Sequence, residues 1–185
     1  MKKINEVFYS LQGEGFYTGT PSVFVRFSGC NLKCPFCDTS HEQGTLMTDE
    51  QIVNEVTQYP CHHVVLTGGE PSLFVTPELI DLLHTAGRYV CIETNGTHLL
   101  PQNIDWITCS PKEGAPVVLK QVDELKIVFQ DQDLEPYSTI KACHNFLQPL
   151  AQPDGTTNVS KVIAYILSHP EWRLSLQTHK LTGIR

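Results

Sequence analysis

Basic charge is scarce in this sequence: 13 lysines and arginines stand against 20 aspartates and glutamates in 185 residues, a formal net charge of -7. Neutralising a phosphate backbone requires clustered Lys and Arg, and no such cluster occurs. That argues against a nucleic-acid partner and for a small-molecule substrate. A long apolar run is also missing. The opening MKKINEVFYS has two lysines but no continuous apolar segment behind them. It reads as neither a secretory signal nor a membrane span, so no membrane partner and a cytoplasmic location are expected. Linkers, repeats and low-complexity segments are lacking too. With 41% hydrophobic residues, residues 1–185 are expected to fold as a single domain with a substantial core. The seven cysteines cannot all pair as disulfides. Four of them, Cys61, Cys91, Cys109 and Cys143, lie in or beside apolar runs, where a reduced cysteine acts as a small hydrophobe.

The other three fall within eight residues of the stretch FSGCNLKCPFCDTS, as Cys30, Cys34 and Cys37. Gly29 turns the chain just before them and Pro35 stiffens the loop between them. Thiolates are the usual ligands of iron-sulfur clusters, and three of them around a four-iron cube leave one iron open for another ligand. A closed zinc site needs a fourth donor, for which His41 is close in sequence, and a zinc knuckle or a reduced redox pair are the alternatives on spacing alone.

Short β-branched runs at 22–27, 64–68, 89–94, 106–110, 124–129, 145–150 and 173–178 read as strands. Thr48 with Gln51 predicts a capping box opening a helix over DEQIVNEVTQY. Thr76-Pro77 predicts a second helix ending at Gly87, and Asn158 to Ser168 carries the apolar stripe of a third. Strands alternating with helices imply an α/β fold with parallel pairing and crossover helices. Six to seven strands fall short of the eight in a closed barrel, so a partial, open TIM-like barrel is expected. The cysteine loop, TGGEP, ETNG and SPK all follow strands, the end at which chemistry collects in parallel α/β folds.

Cys-x3-Cys-x2-Cys after one strand and GGEP after the next resembles the radical S-adenosylmethionine superfamily. More closely, FYSLQGEG (8–15), VRFSGCNLKCPFCDT (25–39), LTGGEP (66–71), ETNG (93–96), SPK (110–112), LQP (147–149) and LQTHK (176–180) occur in one chain. Their order and joint presence resemble the 7-carboxy-7-deazaguanine synthase family. The resemblance implies a 4Fe-4S cluster whose open iron is chelated by S-adenosylmethionine, and release of a 5'-deoxyadenosyl radical. It implies abstraction of a hydrogen from C6 of 6-carboxy-5,6,7,8-tetrahydropterin, ring contraction with loss of ammonia, return of the hydrogen and regeneration of S-adenosylmethionine. A homodimer, and flavodoxin or ferredoxin as electron donor, are implied as well.

Carried over by position, Leu11, Gln12, Gly13, Arg26, Thr67 and Arg185 would contact the pterin, Arg185 through its main chain in a tail that follows a strand ending near His179 and closes over the pterin. A guanidinium at Arg26 suits a carboxylate, which it can hold through two parallel hydrogen bonds. Glu14 would pair with the ring's guanine-like edge or stand as a solvated turn residue. Phe36, Cys37, Asp38, Gly69, Ser110, Pro111, Lys112, Gln148, Pro149, Leu150 and Ala151 would hold S-adenosylmethionine, with Glu93 and Asn95 as polar neighbours. Thr39 would be a magnesium ligand, a role its hard oxygen permits. Arg26 and Thr39 are the catalytic expectations. The chain is short for this resemblance after CDTS and after SPK. A glycyl-radical activase, and a non-catalytic iron-sulfur or zinc module, are the competing readings.

Overall fold

The computed structural model describes residues 1–35, 37, 42–152 and 154–185. Nine strands among them form one sheet: β1 (Lys2–Leu11), β2 (Pro21–Phe27), β3 (Thr45–Met47), β4 (His63–Gly68), β5 (Tyr89–Thr94), β6 (Trp106–Cys109), β7 (Gln121–Phe129), β8 (Lys141–Pro149) and β9 (Arg173–Leu174), in the order β3-β1-β2-β4-β5-β6-β7-β8-β9. From β2 onward every pairing is parallel, which gives the expected run of seven parallel strands. The sheet ends in β3 and β9 rather than closing. β1 pairs antiparallel with β2 and with β3, an edge the sequence reading left out.

Alternation sorts the side chains of the central strands. Val23, Val25 and Phe27 of β2, Val64 and Leu66 of β4, and Val90 and Ile92 of β5 join one core with helices α1 (Asp49–Thr57) and α2 (Pro77–Thr85), which contribute Ile52, Val56, Leu79, Ile80 and Leu83. Burying each such side chain contributes about 1.5–3 kcal/mol. Phe24, Val65 and Cys91 point the other way, into the concave face, where Phe8 of β1 and the rings of Tyr17, Tyr89 and Trp106 join them. Helix α3 (Val159–Ser168) buries Val162 against a second core with Leu125, Ile127 and Leu147.

β1 changes faces partway. Its register with β2 shifts between Ile4 and Glu6, a bulge that leaves Ile4 in the helix-side core and turns Glu6 and Phe8 into the concave face. The break in period explains why no strand is legible in KKINEVFYSL.

The helix signals hold where they are chemical. Gln51 N donates to Thr48 Oγ1 at 3.3 Å while Thr48 N donates to Gln51 Oε1 at 2.8 Å, the reciprocal box expected. Asn158 does not cap α3 with its side chain. It accepts from Leu150 N at 2.8 Å and donates to Phe129 O at 2.7 Å, clamping the ends of β7 and β8 together. Three expectations need correction. β9 is two residues long rather than six, and Thr178–Thr182 form a helix, α4, so no strand reaches His179. The β5–β6 and β6–β7 crossovers contain no helix, and the β7–β8 crossover holds only a single 3-10 turn, Glu135–Tyr137. Cys143 is exposed, because it lies on the solvent-facing first half of β8, whereas Cys61, Cys91 and Cys109 are buried as expected.

Candidate active site

The loops after the parallel strands are stapled to one another. Gly69 N donates to Phe27 O at 3.0 Å and Glu70 N to Gly29 O at 2.9 Å, so the GGEP loop lies directly against the start of the cysteine loop. A Cβ at Gly69 would stand 2.0 Å from the Gly29 carbonyl oxygen, which restricts this position to glycine. Glu70, 1% exposed, accepts from Ser72 N at 3.0 Å, Thr94 Oγ1 at 2.6 Å and Asn95 N at 2.7 Å. A buried carboxylate needs such partners, and here they tie GGEP to ETNG. Asn95 in turn donates to Asn31 Oδ1 at 3.1 Å, and Asn31 to Thr97 Oγ1 at 2.9 Å, which anchors the cysteine loop from its other side.

Cys30, Cys34 and Cys37 form no disulfide and lie on the wall of a cavity of ≈ 960 Å³. Leu32 N donates to Cys30 Sγ at 3.4 Å, and Cys37 N to Cys34 O at 3.1 Å, so the loop curls around its sulfurs. Burial pushes the Cys30 and Cys34 thiols up. Cys37 opposes ionisation of both, Cys30 that of Cys34, and the Lys112 charge draws both down. Three thiolates within electrostatic reach of each other are relieved by a polycationic centre, and the donor set fits an iron-sulfur cluster. No group of three or more His, Cys, Asp or Glu side chains among the described residues is placed to hold a single ion. The ligands of a multi-iron cube bind one iron each and stand further apart. By contrast, burial raises the thiols of Cys91 and Cys109, the latter to about 12, and keeps them protonated.

Every described residue expected at the site lines this cavity except Pro111, which is buried beside it. Phe36, Asp38 and Thr39, like His41, lie outside the described residues. On one wall Arg26 Nε donates to Glu6 Oε1 at 2.9 Å, and the Arg185 guanidinium reaches Glu6 Oε2. Both guanidiniums lie over the Phe8 ring, at 5.5 and 5.0 Å from its centroid, and Phe8 stacks on Phe24 at 4.9 Å. The Arg185 main-chain oxygen accepts from Ser10 Oγ at 2.7 Å. Gly13 sits beneath His179, where a Cβ would come within 2.3 Å of the imidazole, and its carbonyl accepts from Thr178 N at 2.9 Å.

Within electrostatic reach of Cys34, Lys112 Nζ donates to both Ser110 O and Ser110 Oγ at 2.7 Å, and burial lowers its pKa. Gln148 Oε1 accepts from Ser175 Oγ at 3.0 Å, and Leu150 is held through Asn158 as described. The deepest group is a charge cluster. Lys126, 4% exposed, donates to Glu14 Oε2 at 2.6 Å and to Glu93 Oε1 at 3.5 Å. Gln177 Nε2 donates to Glu14 Oε1 at 2.8 Å, Gln12 Nε2 to Glu93 Oε1 at 3.2 Å, and Thr67 Oγ1 to Glu93 Oε2 at 2.8 Å. Burial alone would raise the Glu14 carboxyl, but the Lys126 charge and the two hydrogen bonds overcome it and hold the pKa down to about 2. Glu14 is therefore a paired site residue and not a solvated turn. Glu93 faces this cluster, whereas Asn95 faces the cysteine loop.

The sequence reading missed Glu6, Phe8, Lys126, Gln177 and His179. Phe8, Gln177 and His179 stood inside the motifs FYSLQGEG and LQTHK without an assigned role, and Lys126 carried a signal of its own, a charged residue at an inward position of the apolar run ELKIVF.

Residues 24–130 match the radical SAM superfamily. A 7-carboxy-7-deazaguanine synthase of Bacteroides thetaiotaomicron is 59% identical over 185 residues, covering 100% of both chains. The chain belongs to the 7-carboxy-7-deazaguanine synthase family. That relative is matched over its whole length, so the short loops are no departure from the family as a whole. A second member, from Bradyrhizobium diazoefficiens, is 42% identical over 207 aligned positions, with 98% of each chain covered. The family's fold is recovered too: the crystal structure of QueE from Escherichia coli superposes with a TM-score of 0.77 at 30% identity, over 95% of this chain and 93% of that one. Membership of the radical SAM superfamily brings a 4Fe-4S cluster and S-adenosylmethionine as cofactors.

Proposed function

We propose that this chain, acting as one catalytic unit over residues 1–185, is a radical S-adenosylmethionine lyase that converts 6-carboxy-5,6,7,8-tetrahydropterin to 7-carboxy-7-deazaguanine with loss of ammonia. The observation that carries the reading is a single cavity with the three cysteines at one side and a charge-sorted wall at the other. When bound, the cluster and S-adenosylmethionine supply the hydrogen-abstracting radical chemistry. Cys30, Cys34 and Cys37 hold the cluster. Gly69, Ser110, Lys112 and the segment Gln148–Ala151 face S-adenosylmethionine, with Pro111 setting the turn between two of them. Arg26 takes the substrate carboxylate, Phe8 and Phe24 pack beside the ring, and Thr67, Gln12 and the backbone of Leu11 and Gly13 fix its polar edge. Arg185, beside Arg26 over the same ring, supports the carboxylate with its guanidinium and contacts the pterin through its main chain. The docked tail and the GGEP loop keep water from the reacting atoms, which suppresses side reactions. A homodimer in the cytoplasm, reduced by flavodoxin or ferredoxin, is the working form we propose. No helix among the described residues is long and apolar enough to cross a membrane.

Incubating the reconstituted protein with the carboxytetrahydropterin, S-adenosylmethionine and a reductant, and following the deazaguanine by chromatography, tests the function. Formation of 5'-deoxyadenosine with no deazaguanine would reject the substrate. Replacing Arg26 by Gln removes a charge-assisted hydrogen bond, a loss of about 1.5–3 kcal/mol, so kcat/KM should fall about ten- to a hundredfold with iron content unchanged. An unaltered kcat/KM would place the carboxylate elsewhere.

Magnesium is proposed at Thr39, where it would orient the ring as a template and Lewis acid. Turnover should then depend on magnesium in the native protein, and Thr39→Ala should lose that dependence while keeping its iron. A Thr39→Ala protein still stimulated by magnesium removes the residue from this role.

A further inference from the structure

Lys126 is a buried ammonium among carboxylates, on a strand that offers nothing to the cluster or to S-adenosylmethionine. Glu14 comes from the β1–β2 loop, Glu93 from β5 and Glu124 from Lys126's own strand, all within electrostatic reach of it. Lys112, from the loop after β6, and His179, from α4, act within the cluster, and His63 of β4 and Cys91 of β5 lie within electrostatic reach of Glu93. Burial disfavours the charged lysine, and the three carboxylates more than compensate, so it stays protonated. Glu124 is different: burial raises its carboxyl, and its Oε2 is occupied by Phe16 N at 3.0 Å. Glu14 and Glu93 are the pair that brackets the cation, each fixed by a further amide or hydroxyl donor and each still offering an unused lone pair.

A 2-amino-4-oxopyrimidine ring presents a row of N–H donors along one edge, the exocyclic amine beside ring N–H groups. Ionised carboxylates accept from such a row; a protonated carboxyl puts its own proton where an acceptor is needed. We propose that Lys126 is a positioning residue that keeps Glu14 ionised, and holds Glu14 and Glu93 at a fixed separation, so that the pair accepts the N–H edge of the substrate's pyrimidine ring. The inference rests on the function proposed above and assigns to it the group that makes the ring-recognition pair competent.

Without the lysine, burial is left dominant at Glu14 and its carboxyl titrates at higher pH. In Lys126→Met, KM for the pterin should rise at least about tenfold on the acid side. The ratio of mutant to wild-type KM should then fall as pH increases and Glu14 ionises again. Cluster absorption should match the wild type, and kcat should change less than KM. A purely structural lysine would give a ratio independent of pH.

Should Lys126→Met not fold, Lys126→Met/Glu14→Gln removes one charge of each sign and leaves Glu93 held by Gln12 and Thr67. It should show a KM raised about tenfold at every pH, because the acceptor itself is gone. A wild-type KM in either variant, or a pH-independent ratio in the single one, overturns the role of Lys126. Wild-type protein that makes no deazaguanine would instead overturn the function on which it rests.

Discussion

Replacing any one of Cys30, Cys34 and Cys37 by alanine should abolish deazaguanine formation and strip the protein of its iron and visible absorption. Each thiolate would hold one iron, and these three share the wall of the substrate cavity. No described side chain near them is a spare thiol. Cys109 is buried among Leu119, Leu125 and Ile127, and Cys91 is engaged with His63 Nε2 at 3.0 Å, itself bonded through Nδ1 to Ser22 Oγ at 2.7 Å. Cys143→Ser, at an exposed position of β8, should retain full iron content and turnover. If that variant lost its cluster as completely as Cys34→Ala, the assignment of three ligands would be wrong.

The second large effect is expected at a residue that carries no side chain. Gly69→Ala forces a methyl group to within 2.0 Å of a backbone oxygen, which cannot swing aside as a side chain could. The GGEP loop must move off Gly29, breaking the bonds from Gly69 N to Phe27 O and from Glu70 N to Gly29 O. Overpacking of this kind costs about 1–3 kcal/mol in stability. The larger consequence is displacement of the cysteine loop relative to the strand ends, and a shift of about 1 Å in a reacting geometry can cost about a hundredfold in rate. Turnover of a properly reconstituted Gly69→Ala protein should fall by about that factor while the fold persists. Circular dichroism would report the fold and product formation the rate, and a variant with wild-type turnover would show that the contact is not needed.

What could be read in the sequence was what local chemistry determines. β2, β4 and β5 were legible as β-branched runs because both of their faces are buried, one against the helices and the other among the rings of the concave side, and Thr48 with Gln51 is a self-contained box. β1 was illegible because its bulge between Ile4 and Glu6 cancels the period that would have marked it. The tail was misread because RLSLQT alternates like a strand. After Leu174 the chain leaves the sheet, where Gln177 and Thr178 bond to Glu14 and Gly13. Cysteines and glycines announce themselves through composition and spacing. Lys126 acquires its meaning only from Glu14, 112 residues away, and no local pattern could supply that.

The two halves of the cavity are built from different material. Arg26, Thr67, Glu93 and Lys126 are carried on strands of one hydrogen-bonded sheet, whereas the cysteines, Gly69, Ser110 and Lys112 stand on loops. Arg26, Thr67, Glu93 and Lys126 keep their spacing through the backbone ladder, whereas Gln12, Gly13, Glu14 and Arg185 reach the same wall from a loop and the tail and are held there by Glu93, Thr178, Lys126 and Glu6. The loop-borne half is held by bonds among Glu70, Thr94, Asn95 and Asn31, so its shape rests on a chain of side chains rather than on a ladder, and one substitution there is felt at every loop it joins.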